Sequence, residues 1–280
     1  MKYFSLFILF FLLTQLSCDK IIYNPDNPFS GLSKTIVLMH RGSGNNPDYK
    51  ENTLQAAEYG LSVLDGIELD IQMSADGTLW LDHDNKVFDC NGNEVGCFQK
   101  LHDDEIVAAA ECEGELRYHT LESVFQLMAL DYPDSYISLD VKTQYCEIFS
   151  IPSEMRQMAG SIMELVGKYN MHHKVLVESS SLAFLKELDD QKSIGQCVIS
   201  FGDVDKGLAD ARITKARGIS LKYGEEEINH EVVDLVHRKG YALILWTINE
   251  PEDISIAWTS APDFIQTDRA DFKDFIPEPK

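Results

Sequence analysis

The chain has 280 residues, of which 44% are hydrophobic, and its 46 acidic and 24 basic residues give a formal net charge of −22. This length is enough for one large α/β domain and does not require two. Such an excess of acid argues against nucleic-acid binding, and it means that an anionic substrate needs local positive charge from arginine, lysine or a metal ion.

The first 17 residues have the pattern of an export signal. Lys2 precedes an almost wholly apolar run over residues 4–13, which is shorter than the ~20 apolar residues of a membrane span. The run leads to Cys18 and resembles a bacterial lipoprotein signal, so we expect residues 1–17 to be removed and Cys18 to be lipidated. The alternative is a simple secretory signal, because Gln15 stands where such signals usually carry leucine. The expected location is the bacterial cell envelope, periplasm or outer membrane, with a lipid anchor in the membrane.

Residues 18–34 contain Pro25, Pro28 and Gly31 without a clear period, and this composition predicts a tether. After the tether, short apolar runs alternate with stretches of helical spacing. The predicted strands are 35–40, 66–72, 136–142, 174–178, 196–200, 218–222, 242–247 and 263–267. The predicted helices include 52–64, 121–130, 152–169, 182–188, 205–216 and 231–239.

Eight strand–helix alternations over ~250 residues fit a (β/α)₈ TIM barrel, whose active site lies at the carboxyl ends of the strands. The catalytic domain is then 35–280. An open doubly wound sheet remains possible on the pattern alone.

The interval 76–120 interrupts this rhythm with a Gly-rich turn, a short extended run over 78–81 and then a predicted long loop. Because the long loop leaves directly from His83, we interpret the interval as an insertion that forms a lid or wall of the site. Cys90 and Cys97 flank a turn-rich stretch that an exported protein can close as a disulfide. Cys146 and Cys197 lie in or beside apolar stretches and are expected to be buried thiols.

Polar side chains that suit phosphodiester chemistry stand at the ends of the first two strands. His40 ends the first strand and can act as a general acid or base, and Arg41 offers a planar donor group to phosphate oxygens. Glu68 and Asp70 lie on one face of the second strand, because side chains alternate along a strand. Two converging carboxylates repel unless a proton or cation lies between them, which predicts a Ca²⁺ or Mg²⁺ site.

The third predicted strand repeats this arrangement. Asp140 can supply a third metal carboxylate, and Lys142 on the same face can neutralise phosphate charge. His83 is the second acid–base candidate, since diester cleavage needs one group to activate the nucleophile and one to protonate the leaving alkoxide. Glu51 can hold a ligand group or metal, while Asn52 is equally suited to capping the first helix.

Weaker candidates stand at the ends of later strands. Glu178 and Asp268 are as well explained by packing or capping as by function. Trp246 can form the floor of a small-alcohol pocket.

Taken together, these strings resemble the glycerophosphodiester phosphodiesterase family. The matching strings are His40-Arg41-Gly42, Glu51-Asn52-Thr53, Glu68-Leu69-Asp70, His83-Asp84, Thr120-Leu121-Glu122, Asp140-Val141-Lys142, Trp246-Thr247-Ile248-Asn249 and Thr267-Asp268. They occur in the expected order over residues 35–272. The resemblance implies a TIM barrel with a small insertion after the second strand, and hydrolysis of a small glycerophosphodiester to glycerol 3-phosphate and an alcohol.

The resemblance also implies roles for individual residues. His40 and His83 match the family's acid–base pair, Glu68 and Asp70 match its metal ligands, and Arg41 matches its phosphate contact.

Three further positions concern the metal. Glu51 matches a position near the divalent cation. Asp140 stands where the family usually has glutamate, and its shorter side chain moves a ligand oxygen by one carbon–carbon bond. The segment 45–50 lacks the family's usual proline before Glu51.

Two other functions are compatible with the sequence. One is phospholipase-D-like cleavage of sphingolipid or lysolipid, since such relatives share the histidines and carboxylates. The other is a non-catalytic lipoprotein that binds phosphorylated ligands, although a binder has no need of two acid–base groups. Oligomeric state does not follow from the sequence.

Overall fold

In the computed structural model, the described residues are 27–112, 115–143, 151–188, 193–201, 203–224 and 228–277. The predicted signal peptide, Cys18 and Cys146 lie outside them. The strands within these ranges are β1 (Ile36–Met39), β2 (Gly66–Met73), β3 (Leu79–Leu81), β4 (Lys86–Phe88), β5 (Glu94–Cys97), β6 (Glu111–Cys112), β7 (Glu115–Leu116), β8 (Tyr136–Val141), β9 (Val175–Ser179), β10 (Gly195–Ser200), β11 (Gly218–Lys222), β12 (Ala242–Trp246) and β13 (Phe264–Thr267).

Eight parallel strands close into a barrel. The hydrogen-bonded order is β1-β13-β12-β11-β10-β9-β8-β2, and β1 also pairs with β2. Closure confirms the predicted (β/α)₈ barrel and excludes the open doubly wound sheet.

The helices follow the barrel strands and run back along the outside. They are α1 (Leu54–Val63), α2 (Asp103–Ala110), α3 (Leu121–Asp131), α4 (Pro152–Lys168), α5 (Leu182–Glu187), α6 (Val204–Thr214), α7 (His230–Arg238) and α8 (Pro251–Ser260). Of these, α2 belongs to the insertion. None of the helices in the described ranges has the length and apolar character needed to cross a bilayer.

The core has two layers. The larger lies between strands and helices and includes the alternate residues Ile67, Leu69 and Ile71 of β2. The smaller fills the lower barrel interior and contains Cys197, which is the buried free thiol that the sequence predicts. The opposite alternation sends the polar residues of β2 into the upper barrel.

The segment 27–34 closes the barrel floor, by which we mean the end where the strands begin. Phe29 is 1% exposed and packs in the lower interior cluster. The Asn27 side chain donates to the Arg217 carbonyl at 2.7 Å, and the Ser30 hydroxyl donates to the Tyr241 carbonyl at 2.9 Å. The predicted tether is therefore wrong over these residues, because they satisfy backbone groups at the starts of two strands.

The insertion between β2 and α3 is not the long loop that the sequence suggested. It contains the antiparallel pair β4–β5, helix α2 and the pair β6–β7, and Trp80, Phe98 and Tyr118 belong to its own small core. Short elements with a shared core make this segment a rigid wall beside the barrel mouth, the end where the strands finish.

The predicted Cys90–Cys97 disulfide is also wrong. Cys90 is bonded to Cys112, with 5.4 Å between the Cα atoms. The β4–β5 register places Cys97 opposite Lys86 instead, and Cys97 is engaged in another disulfide.

Candidate active site

Three carboxylates converge at the mouth of the barrel. Asp70 and Asp140 are register partners on β2 and β8, and Glu68 lies one inward-facing position below Asp70. Oxygen atoms of the three side chains all lie within 4.8 Å of one another. Glu68 and Asp70 are each only 2% exposed, so their charges are mostly removed from water.

Lys142 is the cation nearest to this cluster. Its Nζ lies 2.8 Å from Asp70 Oδ1 and 2.6 Å from Asp140 Oδ2. Burial opposes the charge on the lysine, but the two carboxylates raise the pKa of Lys142 above its ordinary value.

The carboxylates differ in their protonation equilibria. Burial and the charge of Asp70 raise the pKa of Glu68. Burial also raises the pKa of Asp140, although Lys142 opposes this. For Asp70, Lys142 and Arg41 overcome the effect of burial and hold the pKa below its ordinary value.

The loop after β1 supports the cluster through its backbone. The Arg41 amide donates to Glu68 Oε2 at 2.9 Å, and both Arg41 and Asn52 have positive φ angles, of 52° and 56°. Asn52 Nδ2 donates to Asp70 Oδ2 at 2.8 Å, and the Asp70 amide donates to Asn52 Oδ1 at 3.0 Å. Thr53 caps α1. The capping alternative for Asn52 is therefore wrong, and this buried amide orients Asp70.

The Arg41 guanidinium bridges the cluster and the loop. Its Nη1 donates to both oxygens of Glu51 at 3.0 Å, and its Nε lies 3.3 Å from Asp70 Oδ2. Glu51 thus contacts Arg41, and the three-carboxylate cluster of the described residues does not include it.

His40 is oriented by an aspartate from the other end of the chain. Its Nδ1 lies 2.7 Å from Asp268 Oδ1, and its Nε2 lies 3.9 Å from Glu68 Oε2. Asn249 holds Asp268 through its side-chain amide, with bonds of 2.7 and 2.8 Å. Burial opposes the charged imidazolium, but Asp268 and Glu68 raise the pKa of His40 above its ordinary value.

His83 repeats this geometry from the opposite side of the mouth. Its Nδ1 lies 2.9 Å from Asp84 Oδ1, and the histidine side chain is 44% exposed. In both histidines, the carboxylate at Nδ1 favours the neutral tautomer that carries its proton on Nδ1. Nε2 is then unprotonated and can accept a proton from a bound molecule.

Two adjoining cavities open at the mouth. The inner cavity, of about 190 Å³, is lined by residues that include His40, Glu178 and Trp246. The outer cavity, of about 340 Å³, extends along the insertion past Asp84 and Gln72. Both cavities share His83, Asp140, Lys142, Ile199 and Phe201.

Two aromatic residues form one wall of these cavities. Phe201 is 65% exposed, and its ring packs edge-on against Trp246 with 6.2 Å between centroids. The buried Nε1 of Trp246 has no hydrogen-bond partner among the described residues. A hydroxyl oxygen of a bound molecule would satisfy this donor.

Glu178 lies below the mouth as a fully enclosed acid. It is the β9 register partner of Asp140 and accepts hydrogen bonds from Ser138 and Gln266. Burial raises the pKa of Glu178 to about 7 in spite of these bonds. Near neutral pH, Glu178 therefore carries only part of a full negative charge below the site.

The donor set suits a hard divalent cation. Glu68, Asp70 and Asp140 supply only oxygen atoms, the chemistry that Ca²⁺ and Mg²⁺ prefer. Two of the three carboxylates have raised pKa values, which is the expected signature of acids placed together to share a positive charge. Lys142 supplies part of this positive charge through Asp70 and Asp140. A divalent cation would supply the rest, and the three carboxylates fit such an ion.

The structure brings the predicted site residues together at the mouth. Glu51 is set apart from the carboxylate cluster and contacts Arg41. The residues that sequence reasoning ranked too low are Asp268 and Asn249, which orient His40, and Asn52, which orients Asp70. The sequence signal for Asn249 is its place in one string of the family resemblance, and Asp268 also stands at the end of the last predicted strand. Phe201 has no such signal.

A model of the Glycerophosphoryl diester phosphodiesterase family matches residues 40–272. A glycerophosphodiester phosphodiesterase of Caldanaerobacter subterraneus subsp. tengcongensis is 28% identical over 250 residues, which cover 84% of this chain and 94% of that protein.

Two solved structures show the same fold. A glycerophosphodiester phosphodiesterase from Thermotoga maritima aligns with a TM-score of 0.67 and 22% identity, covering 87% of this chain and 98% of that one. An Oleispira antarctica phosphodiesterase, solved in complex with the product sn-glycerol-3-phosphate, aligns with a TM-score of 0.68 and 17% identity, covering 86% of this chain and 96% of that one.

Proposed function

Since the chain belongs to the glycerophosphoryl diester phosphodiesterase family, we propose that it hydrolyses small glycerophosphodiesters to glycerol 3-phosphate and an alcohol. The enzyme is a phosphoric diester hydrolase. The observation that carries this function is the carboxylate cluster at the mouth, flanked by two histidines that each hold a carboxylate at Nδ1. Binding alone requires neither histidine to be oriented in this way.

Glu68, Asp70 and Asp140 would hold the divalent cation, Ca²⁺ or Mg²⁺. Glu51 lies near this site and is hydrogen-bonded to Arg41. When bound, the ion supplies positive charge that stabilises the negative charge developing on the phosphoryl oxygens. Asp140 replaces the longer glutamate that is usual in the family. Because this shorter side chain moves a ligand oxygen, we expect the metal choice or affinity of this enzyme to differ from that of relatives with glutamate.

The phosphate group binds between Arg41 and Lys142. Arg41 is held in place by Glu51 and Asp70, and Lys142 projects from β8 between Asp70 and Asp140. Two fixed cations beside the carboxylates offset the strongly acidic charge of the protein where the substrate anion must lie.

The two cavities suit the two halves of the substrate. We assign the glycerol moiety to the inner cavity, where the indole Nε1 of Trp246 can donate to a hydroxyl group. The leaving alcohol then occupies the outer cavity, beside Asp84 and Phe201.

This placement assigns the proton transfers. His40 lines only the inner cavity and accepts the proton from the nucleophile, with Asp268 stabilising the imidazolium that forms. His83 lines both cavities and donates a proton to the departing alkoxide. Either water or a neighbouring hydroxyl of the glycerol moiety can serve as the nucleophile under this assignment.

We also propose that the enzyme is exported and is held in the bacterial cell envelope by a lipid on Cys18. The support is the sequence of residues 1–18, a basic start and an apolar run that leads to a cysteine. Metabolic labelling with a radioactive fatty acid tests this, with Cys18→Ala as the matched variant that should lose the label.

The reaction is tested by following glycerol 3-phosphate released from glycerophosphocholine and glycerophosphoethanolamine. The purified protein is assayed with chelator, and then with Ca²⁺ or Mg²⁺ restored. Release that the chelator abolishes and one of the ions restores is the expected result. Cleavage of sphingomyelin or lysophosphatidylcholine instead would indicate the phospholipase-D-like function, and binding without turnover would indicate a non-catalytic lipoprotein.

A further inference from the structure

His83 obtains its carboxylate partner from the next residue in the chain. His83 Nδ1 lies 2.9 Å from Asp84 Oδ1. In an extended strand, neighbouring side chains point to opposite faces, so a strand would hold these two apart. The chain bends at residues 83–85, shortly after β3. The His83–Asp84 contact therefore depends on a turn, whereas His40 and Asp268 follow two paired strands of the barrel.

The turn is closed by the side chain of Asp82. Asp82 Oδ1 accepts a hydrogen bond from the Asp84 amide at 2.8 Å. An aspartate that accepts from the amide two residues further on forms an Asx turn, for which the length of its side chain is suited. The Asp82 amide itself donates to the Asp70 carbonyl at 3.2 Å. Asp82 is thus held beside β2, and from there it fixes the backbone of Asp84.

Other contacts hold the turn on either side of this bond. The Phe98 amide of the insertion donates to the Asn85 carbonyl at 3.2 Å. Gln72 Nε2 donates to the His83 carbonyl at 3.4 Å. These bonds fix the residues before and after Asp84, whose own amide is held by the Asx turn.

Electrostatics alone would disfavour an acid at the position of Asp82. Burial raises the pKa of Asp82 to about 6, although the Asp84 amide and the charge of Lys50 oppose this. The charges of Asp84 and Asp70 also raise this pKa. A partly buried carboxylate near two others is destabilising unless its oxygen atoms are hydrogen-bonded. The bond to the Asp84 amide offsets this cost and gives the acid a role in the turn.

We propose that Asp82 is a positioning residue for His83, because it closes the turn that places Asp84 on Nδ1 and leaves Nε2 for proton transfer to the leaving alcohol. This inference rests on the phosphodiesterase function proposed above. Asp82 lines neither of the mouth cavities, so it acts through His83 and not on the substrate. Without the Asx turn, the Asp84 carboxylate is free to leave Nδ1, and the imidazole loses its fixed orientation and tautomer.

Three substitutions separate the hydrogen bond of Asp82 from its charge. Asp82→Ala removes both. Asp82→Asn keeps an oxygen that can accept from the Asp84 amide, and Asp82→Glu keeps the charge on a longer side chain that does not fit an Asx turn. The matched control is Asp89→Ala. Asp89 Oδ1 accepts from the Asn91 amide at 2.9 Å in the same kind of turn, and Asp89 lines neither mouth cavity.

Dependence on the leaving group is the first readout. The rate kcat is measured on glycerophosphocholine and on the p-nitrophenyl ester of glycerol 3-phosphate, whose leaving group needs no proton. On the choline diester, Asp82→Ala and Asp82→Glu should lose roughly 10- to 100-fold, and Asp82→Asn should stay within about fivefold of the wild type. On the nitrophenyl diester, all three should lie within about threefold of the wild type. Asp89→Ala should match the wild type on both.

The same rates can overturn the proposal. Equal losses of Asp82→Ala on the two diesters would do so, as would wild-type activity of Asp82→Glu on the choline diester. A loss in Asp82→Asn as large as that in Asp82→Glu would show that the charge matters and the turn does not. If Asp82→Ala does not fold, the comparison of Asp82→Asn with Asp82→Glu decides the question.

The tautomer of His83 is a second readout, and it needs no turnover. Nitrogen NMR of the neutral imidazole, with His83→Ala to identify its signals, should show the proton on Nδ1 in the wild type and in Asp82→Asn. Asp82→Ala and Asp82→Glu should lose this preference. An unchanged tautomer in these two variants would overturn the proposal whatever their rates. Absence of hydrolysis in the wild type, together with the expected change of tautomer, would count against the enzymatic function alone.

Discussion

Asp268 is the residue whose replacement tests the arrangement around His40 most sharply. Asp268→Asn keeps the size of the side chain and one hydrogen bond from Asn249, but it removes the negative charge 2.7 Å from His40 Nδ1. A hydrogen bond to a charged partner contributes about 1.5–3 kcal/mol, which corresponds to roughly 10- to 150-fold in rate. The amide can also present its NH₂ group to Nδ1, which favours the tautomer with the proton on Nε2. In that tautomer His40 cannot accept a proton at Nε2, so the loss of rate increases.

We therefore expect kcat/KM for glycerophosphocholine to fall by roughly 10- to 150-fold from the lost charge, and further through the tautomer, with little change in folding. The pH profile provides a second readout. Because Asp268 raises the pKa of His40, removing its charge should move the His40 limb of the profile to lower pH. Wild-type kcat/KM with an unchanged profile would refute the proposed role of Asp268. Asn249→Ala should give a smaller loss in the same direction, since Asp268 keeps its charge.

Three further predictions concern other parts of the molecule. Asn52→Ala removes both hydrogen bonds to Asp70 and should weaken metal-dependent activity by roughly 10- to 100-fold, measured as the metal concentration needed for half-maximal rate. Phe29→Ala empties a buried position in the floor and should lower the unfolding free energy by about 3–5 kcal/mol, while activity below the melting temperature persists. Burial opposes the charge on His237, but Asp263 raises its pKa. The His237–Asp263 ion pair therefore contributes its full stability below the ordinary histidine pKa of about 6.5. This contribution is lost as the pH rises through the pKa of His237 in the folded protein. Denaturation from pH 5 to 9 should show this loss, and His237→Gln should abolish it; an identical pH dependence in the variant would contradict the assignment.

The barrel was predictable because its signals are local. Each barrel strand is a short apolar run, and α4 has apolar residues at helical spacing that give one buried face. The alternation in β2 was sufficient to place Glu68 and Asp70 on a common face. These patterns depend on neighbours within a few residues, so the sequence displays them directly.

The partners of the site residues were not predictable in the same way. His40 and Asp268 are 228 residues apart, and they meet because β1 pairs with β13 in the register Met39–Thr267. That register is a property of the closed barrel and leaves no local pattern. The Asn52–Asp70 contact likewise depends on a loop with positive φ that turns back over β2.

The errors in the insertion and the tether have the same origin. Spacing favoured Cys90–Cys97, but hairpin pairing and helix α2 bring Cys112 to Cys90 instead. The composition of 27–34 is typical of a tether, yet Asn27 contacts carbonyls about 200 residues away in sequence. Polar residues that satisfy distant backbone groups cannot be distinguished from flexible polar residues by composition alone.

We propose that His40 and His83 divide the proton transfers of diester cleavage, and a change of leaving group separates their two roles. His40→Ala and His83→Ala are compared with the wild type on glycerophosphocholine and on the p-nitrophenyl ester of glycerol 3-phosphate, whose leaving group needs no proton. Both variants should lose at least roughly 100-fold on the choline diester. On the nitrophenyl diester, His83→Ala should recover to within about tenfold of the wild type, and His40→Ala should not. Substantial choline-diester activity in either variant, or equal losses of His83→Ala on both substrates, would show that the two histidines do not divide the proton transfers in this way.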